Sequence, residues 1–312
     1  MKLLISEMSL LAGCLLLSIG NVVADVPESN WEAPAQSALA GTTNRQAPML
    51  FIVGDSTVQN SRGIFGWGDA VGRFFNPDKI KVENCAKGGR SSRTFQTQGW
   101  WKQILDAAKP GDFVFIQMGP NDYTPLDDTN RARGSIRSVG EETKEIYNPV
   151  RKRQETVHTY GWYMRKYVTD ARAKGMTPII CSPVPHVPNQ LVQPGASEKN
   201  DYVGWSAQVA ASENAFFINL NQRVMEHYVG MTPEQIKTNY FTDPVHSTRA
   251  GAELNAASVI EGLRQLTSCP LKDYLLDQPL PSPSPIRAPT PAKASISEAS
   301  VPDGLTGQTK NN

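Results

Sequence analysis

Ser56 stands directly after an apolar run, Met49 to Val53, in the sequence Gly54-Asp55-Ser56-Thr57. A serine hydroxyl is almost fully protonated at neutral pH and is a weak nucleophile. It attacks an acyl carbon only when a base takes its proton, an acid orients that base, and donors hold the oxyanion that develops. Asp243-Pro244-Val245-His246 offers the base and its acid, and His246 is one of only four histidines. A carboxylate three residues before a histidine can hold one ring nitrogen while the other faces a serine. Gly88-Gly89 and Gly119-Pro120-Asn121-Asp122 offer the donors. A glycine lets a backbone N–H approach a ligand without a Cβ in the way, and an asparagine amide donates to developing negative charge. Taken singly, each of these is an ordinary polar turn, and an isolated D-x-x-H usually marks a surface loop. Their order along one chain is what points to acyl transfer through serine.

These residues must be positioned by strand ends. The run Met49 to Val53, bounded by Gly and Asp, reads as a buried parallel strand with a tight turn at its C-terminal end. Apolar runs at 80–86, 113–118, 177–181 and 216–220 predict four further strands. Helices are predicted from Gly66-Trp67-Gly68 through Phe74-Phe75, at 100–108, at 202–211 and at 249–266. One more is carried by Val157, Tyr160, Met164, Val168 and Ala171 and ends at Lys174-Gly175. Five alternations of strand and helix imply a parallel sheet covered on both faces, with reacting groups outside the carboxyl ends of the strands. The segment 122–150 is polar and irregular, the character of a functional insertion at a strand end.

The chain has 312 residues, 39% hydrophobic and 20% charged, enough for one large core. With 31 basic and 30 acidic side chains its net charge of +1 gives no general affinity for nucleic acid. Lys2, the apolar stretch Leu10 to Ile19 and Val22-Val23-Ala24-Asp25 read as a signal peptide over 1–24. The expected location is therefore periplasmic or extracellular, with no stable membrane span after processing. Leu11-Ala12-Gly13-Cys14 is an alternative, a lipid-attachment signal at Cys14, although Leu15-Leu16-Leu17 follows where a polar tether is usual. Residues 25–47 read as an N-terminal arm and 48–268 as the folded domain. From 277 to 312 proline alternates with Ser, Ala and Thr, the composition of a disordered tail. Cys85, Cys181 and Cys269 are odd in number; they read as small buried hydrophobes, and any pairing stays open. No Cys or His spacing matches a metal site, and a monomer is expected.

Gly54-Asp55-Ser56-Thr57, Gly66-Trp67-Gly68, Gly89, Gly119-x-Asn121-Asp122 and Asp243-x-x-His246 together resemble the SGNH (GDSL-type) hydrolases. The likeness is strongest to their rhamnogalacturonan acetylesterase branch and covers residues 49–267. The resemblance implies a flavodoxin-like three-layer α/β/α sandwich with a five-stranded parallel sheet. It also implies ester hydrolysis through an acyl-enzyme, without cofactor or metal. By motif, Ser56 would be the nucleophile, His246 the general base and Asp243 its orienting acid. The oxyanion hole would combine the N–H groups of Ser56 and Gly89 with the Asn121 side chain. The substrate would be an acetylated polysaccharide or oligosaccharide of the pectic type. One departure is Pro120, where the family commonly has histidine; a proline there restricts Gly119 to an extended backbone. A lipase or thioesterase on the same scaffold is a second reading, but the strand-end loops carry Arg, Lys, Tyr and Asn rather than an apolar acyl pocket. A carbohydrate-binding protein without turnover is a third, and binding requires no nucleophile. Arg90 and Arg93 follow Gly89 closely, and a guanidinium fork suits the galacturonate carboxylates of a pectic backbone. They are the candidate substrate-binding residues.

Overall fold

The computed structural model describes residues 45–61, 63–187 and 201–277, together with residues 39 and 279. The expected signal peptide, Cys14, nearly all of the arm and nearly all of the tail lie outside the described residues. In chain order the elements are strand β1 (Met49–Val53), helix α1 (Trp67–Val71), β2 (Lys81–Asn84), α2 (Ser92–Thr97), α3 (Trp100–Ala107), β3 (Phe113–Ile116), β4 (Thr143–Asn148), β5 (Arg153–His158), α4 (Tyr160–Ala173), β6 (Thr177–Cys181), α5 (Asp201–Ser212), β7 (Phe216–Ile218), α6 (Leu220–His227), α7 (Pro233–Tyr240) and α8 (Arg249–Gln265). Short 3₁₀ turns follow α1 and α8, at Gly72–Phe74 and Pro270–Tyr274.

Five strands form one sheet in the order β2-β1-β3-β6-β7, every pairing parallel. This is the doubly wound order of a flavodoxin-like fold. Side chains alternate between the faces of each strand, and the two faces bury different helices. Leu50, Ile52, Phe113, Phe115, Ile179 and Cys181 pack with Trp67 of α1, Val224 of α6, Ile236 of α7 and Ile260 of α8. Phe51, Val53, Val114, Ile116 and Ile180 pack with Phe95 of α2, Ile104 of α3, Met164 of α4 and Val209 of α5. Three layers result, as the resemblance implies. Buried Asp112 fixes the entry to β1: its carboxylate accepts from the Arg45 guanidinium and from the N–H groups of Met49 at 2.9 Å and Lys109 at 2.7 Å.

Four features differ from the sequence expectations. The helix expected from Val157 begins at Tyr160, capped by Thr159, whose hydroxyl accepts the Trp162 N–H. Val157 belongs to β5 and pairs with Lys144 of β4 in an antiparallel hairpin that fills part of the supposedly irregular insertion. The hairpin runs straight into the helix, so the apolar spacing carries across the boundary. Helices α2, α6 and α7 are additional. They are only six to eight residues long, and side-chain caps from Ser91, Asn219 and Thr232 define their starts. The fifth strand stops at Ile218 because Asn219 already caps α6. The packed body also continues past 268: Leu271 is buried, Tyr274 meets Phe113 edge-on at 5.5 Å, and the Leu276 N–H donates to Phe74 O at 2.8 Å. Cys85, Cys181 and Cys269 are all free thiols, and burial pushes the Cys85 thiol up to about 12.

The turn after β1 is wrapped by the start of α1. A Cβ at Gly66 would lie 2.1 Å from the Val58 carbonyl carbon, and one at Gly68 2.7 Å from Val58 O. Backbone cannot yield as a side chain can. Gly66→Ala is expected to destabilise the protein by about 1–3 kcal/mol through overpacking. Gly204→Ala, at an exposed helical site with open space around it, is expected to stabilise by roughly 0.5–1 kcal/mol. Urea midpoints of both variants check the opposite signs.

Candidate active site

Ser56 sits in the turn where β1 ends, and its neighbours explain why its hydroxyl points outward. The N–H groups of Val58 and Gln59 both donate to Asp55 O at 3.1 Å, closing the turn. Asp55 is buried, and its Oδ1 accepts from the Thr57 N–H and the Thr57 hydroxyl, each at 2.8 Å. Thr57 Oγ1 also accepts from Gln117 Nε2 at 2.7 Å, and Gln117 Oε1 accepts from the Trp67 indole at 2.8 Å. Residues 55 and 57 are therefore drawn into the core, and half-buried Ser56 faces the other way.

There Ser56 Oγ lies 2.9 Å from His246 Nε2, and His246 Nδ1 lies 2.7 Å from Asp243 Oδ2. The other Asp243 oxygen accepts the N–H groups of Val245 and His246, each at 2.8 Å. Partial burial raises the Asp243 pKa, but those two N–H groups and the His246 ring outweigh it and hold the carboxyl below its ordinary range. An ionised Asp243 accepts the Nδ1 proton, which leaves Nε2 with a lone pair toward the Ser56 hydroxyl. The loop carrying His246 is braced on both sides. Phe65 N–H donates to Ser247 O at 3.1 Å, Val187 N–H donates to Pro244 O at 3.0 Å, and the Thr248 hydroxyl caps α8.

The ends of β2 and β3 bring up the donor candidates. Lys87 N–H donates to Gly54 O at 2.9 Å, and a Cβ at Gly88 would sit 3.7 Å from Ser56 Cβ. Gly89 takes the left-handed conformation, φ +76°, which glycine adopts without strain. Buried Asn121 donates one amide proton to Arg90 O at 2.8 Å, which lays its amide along the Gly89-Arg90 segment. An asparagine amide has a second proton to give. Gly119, ahead of Pro120, takes φ +151°, and a Cβ there would meet Pro183 Cγ at 2.8 Å. Asp122 is fully buried and accepts from the Ser92 N–H and hydroxyl and from the Ser135 hydroxyl. Burial pushes both Asp55 and Asp122 up to about 6, and each acid's hydrogen bonds oppose the rise.

The two candidate substrate-binding arginines are placed otherwise than expected. Arg93 is fully buried, and its guanidinium donates to Glu155 Oε1 at 2.8 Å and to the carbonyls of Leu126 and Gly134 at 2.9 Å. It cannot meet a substrate. Helix α2, capped at Ser91, turns it inward, where it clamps the insertion to the hairpin. Arg90 is held by its own loop, donating to Gln98 Oε1 at 3.1 Å and Gly88 O at 2.9 Å, with its guanidinium 5.8 Å from the Trp100 ring centre. The arginines that do reach Gly89 are Arg131 and Arg133. Their Nη1 atoms lie 3.5 and 3.6 Å from where a Gly89 Cβ would stand. Sequence reasoning missed them because they come from the aperiodic insertion; the only available signal was the pair Arg131-Ala132-Arg133 so soon after Asn121-Asp122. Among the described residues, no group of three or more His, Cys, Asp or Glu is arranged to hold a metal ion.

The buried acids set a pH dependence. The folded chain keeps the Asp122 proton up to about 6, whereas an unfolded chain releases it near the ordinary 3.8. Between these values the folded state binds more protons, so this group's contribution to stability falls as pH rises. Asp122→Asn removes that contribution. Urea midpoints measured from about pH 4 to about pH 6 should fall less steeply for the variant than for the wild type. Parallel slopes would contradict it.

Residues 52–254 match the GDSL-like lipase/acylhydrolase family. The chain is 30% identical over 239 residues to the probable rhamnogalacturonan acetylesterase YesY of Bacillus subtilis, covering 73% of this chain and 98% of that one. It is 26% identical over 232 residues to a rhamnogalacturonan acetylesterase of Emericella nidulans, covering 73% and 90%. The crystal structure of YxiM from Bacillus subtilis shares the fold, with a TM-score of 0.56 at 23% identity over 70% of this chain. The matched part is 57% of that chain's length.

Proposed function

The chain belongs to the GDSL-like lipase/acylhydrolase family and is a carboxylic ester hydrolase, and from that premise we propose that it is a serine carbohydrate esterase that removes acetyl groups from a pectic polysaccharide. The observation that carries the serine mechanism is the unbroken hydrogen-bonded chain from Asp243 through His246 to Ser56. The pectic substrate rests on the two acetylesterase relatives, whose names give rhamnogalacturonan as their substrate.

In this reading His246 Nε2 takes the Ser56 proton as Oγ attacks the acetyl carbonyl carbon. Asp243 stabilises the imidazolium and keeps the ring in register. The carbonyl oxygen becomes an oxyanion facing the N–H groups of Ser56 and Gly89 and the free proton of the Asn121 amide. Collapse breaks the bond to the sugar oxygen, which receives the proton from His246 and leaves as a hydroxyl. Acetyl-Ser56 remains. Water then attacks it, giving its proton to His246, and acetate departs as the proton returns to Ser56 Oγ. A polymer substrate lies outside the cell, so export through residues 1–24 belongs to the same reading.

Acetate release from acetylated rhamnogalacturonan, homogalacturonan and xylan tests the substrate. Faster release from the pectic polymers is expected, and preference for xylan would overturn that part. Ser56→Ala should remain folded and release no acetate. Asp243→Asn should lower turnover by up to about 10⁴. Asn121→Ala should lower kcat by about 10²–10³ with a smaller change in KM, because its bond strengthens as charge develops.

A further inference from the structure

The turn after β3 sends three consecutive side chains in three directions. Asp122 N–H donates to Gly119 O at 2.9 Å and closes the turn. Asn121 reaches sideways to Arg90 O, and Asp122 points into the core toward Ser92 and Ser135. Tyr123 points out. It is 58% exposed, against 7% for Asn121 and 0% for Asp122. Among the described residues its ring packs on no other aromatic ring and its hydroxyl makes no hydrogen bond. The backbone that carries it is fixed. The Thr124 hydroxyl donates back to Asn121 O at 2.9 Å. Gly134 backs onto Thr124: a Cβ there would stand 1.9 Å from Thr124 O, and Gly134 N–H donates to Pro125 O at 3.2 Å. Buried Arg93 holds the same loop through the carbonyls of Leu126 and Gly134. Arg133 then ties the loop to the active site by donating to Gly89 O at 3.1 Å, and Tyr123 lies within electrostatic reach of that guanidinium. The adjoining Gly88 is the residue in contact range of Ser56 Cβ.

Exposure alone says little, since Tyr147 on β4 is 55% exposed as well. Place is what sets Tyr123 apart. It stands two residues beyond Asn121, on a turn too well braced to fold its ring away. An acetyl group on a polymer brings its sugar with it. When the carbonyl oxygen sits beside the Asn121 amide, the sugar that bears the ester and its neighbours along the backbone must cross the rim of the same site. A chair pyranose has faces of C–H bonds and an edge of hydroxyls. A tyrosine ring offers an apolar face with a polar tip, and only two side-chain torsions are fixed when it is covered. We propose that Tyr123 is a stacking platform that holds the C–H face of a backbone pyranose next to the scissile acetyl ester. The proposal rests on the reading of this site as a polysaccharide esterase. Such faces belong to the sugars of pectic polymers and of xylan alike, so the platform positions the chain without choosing between them.

The test compares wild type with Tyr123→Ala, Tyr123→Phe and Tyr147→Ala on acetylated galacturonate-containing oligosaccharides, on acetylated xylo-oligosaccharides and on ethyl acetate, which carries no sugar. On whichever oligosaccharide the wild type prefers, Tyr123→Ala should lose about fivefold more kcat/KM than on ethyl acetate, mainly through KM. Tyr123→Phe should keep most of the wild-type value, because the ring face remains. Tyr147→Ala should match the wild type throughout. Equal losses on oligosaccharide and ethyl acetate in Tyr123→Ala would mean a damaged oxyanion turn and overturn the platform, as would no loss on either. A loss in Tyr123→Phe as large as in Tyr123→Ala would assign the contact to the hydroxyl, and an equal loss in Tyr147→Ala would remove the claim of place; each overturns it. A second measurement separates the platform from the choice of substrate. Deacetylated oligogalacturonate or xylo-oligosaccharide should inhibit ethyl acetate hydrolysis competitively in the wild type, with an inhibition constant about fivefold higher in Tyr123→Ala. That inhibition supports the platform even if neither acetylated oligomer proves a good substrate. Absence of inhibition by both, or a constant unchanged in Tyr123→Ala, overturns the platform even if pectin is deacetylated fastest.

Discussion

Ser56 and His246 are 190 residues apart in the chain and 2.9 Å apart in space. No local preference holds them together, so the fold must do it. The parallel sheet places the β1 turn at its carboxyl edge, and α8 packs against α1 across the same face. The last ångströms come from backbone. Phe65 bonds to Ser247, Thr242 N–H donates to His246 O at 2.9 Å, and Thr248 N–H donates to Tyr240 O at 3.0 Å. The glycines at 66 and 68 admit the close approach on which this contact depends. A shift of one ångström at either loop would break a hydrogen bond that the proposed chemistry needs.

A second constraint is electrostatic. Asp55 and Asp122 lie buried under the strand ends: Asp122 is bonded by Ser92 and Ser135, whereas Asp55 is bonded at Oδ1 by Thr57 of its own turn and keeps Oδ2 buried without a hydrogen-bond partner. They are structural acids that fold the β1 turn and the insertion, and burial rather than a charge partner dominates their titration. Asp243 differs. It is exposed, held ionised by two N–H groups, and aimed at the imidazole. The same side chain thus serves two purposes according to its surroundings. The arginines divide in a parallel way: Arg93 is spent inside the loop, whereas Arg131 and Arg133 stand over Gly89.

Much of this was legible in the residues. Buried parallel strands are short apolar runs, so β1, β3 and β6 announced themselves, and Gly54-Asp55-Ser56 and Asp243-x-x-His246 marked where two strand-end loops would meet. Elements set by caps rather than by periodicity were not legible. Six-residue α2 has too few turns to show a face, and the β4–β5 hairpin is exposed along most of its length, so it lacks an apolar alternation. Side-chain direction was the least accessible. Arg93 lies only four residues beyond Gly89, yet the cap at Ser91 turns it into the core. Arg133 is 44 residues beyond Gly89 and touches its carbonyl.

The proposed chemistry stands or falls with acyl transfer through Ser56. Its most direct test is to mix the enzyme with an acetyl ester, quench in acid within the first turnovers, digest, and locate the added acetyl group by mass spectrometry. An acetyl group is expected on the Ser56 hydroxyl, accumulating further in Asn121→Ala only if deacylation is the slower step. An acetyl group on another side chain, or steady turnover with no acetylated peptide at any quench time under conditions that trap a known acetyl-serine, would contradict it.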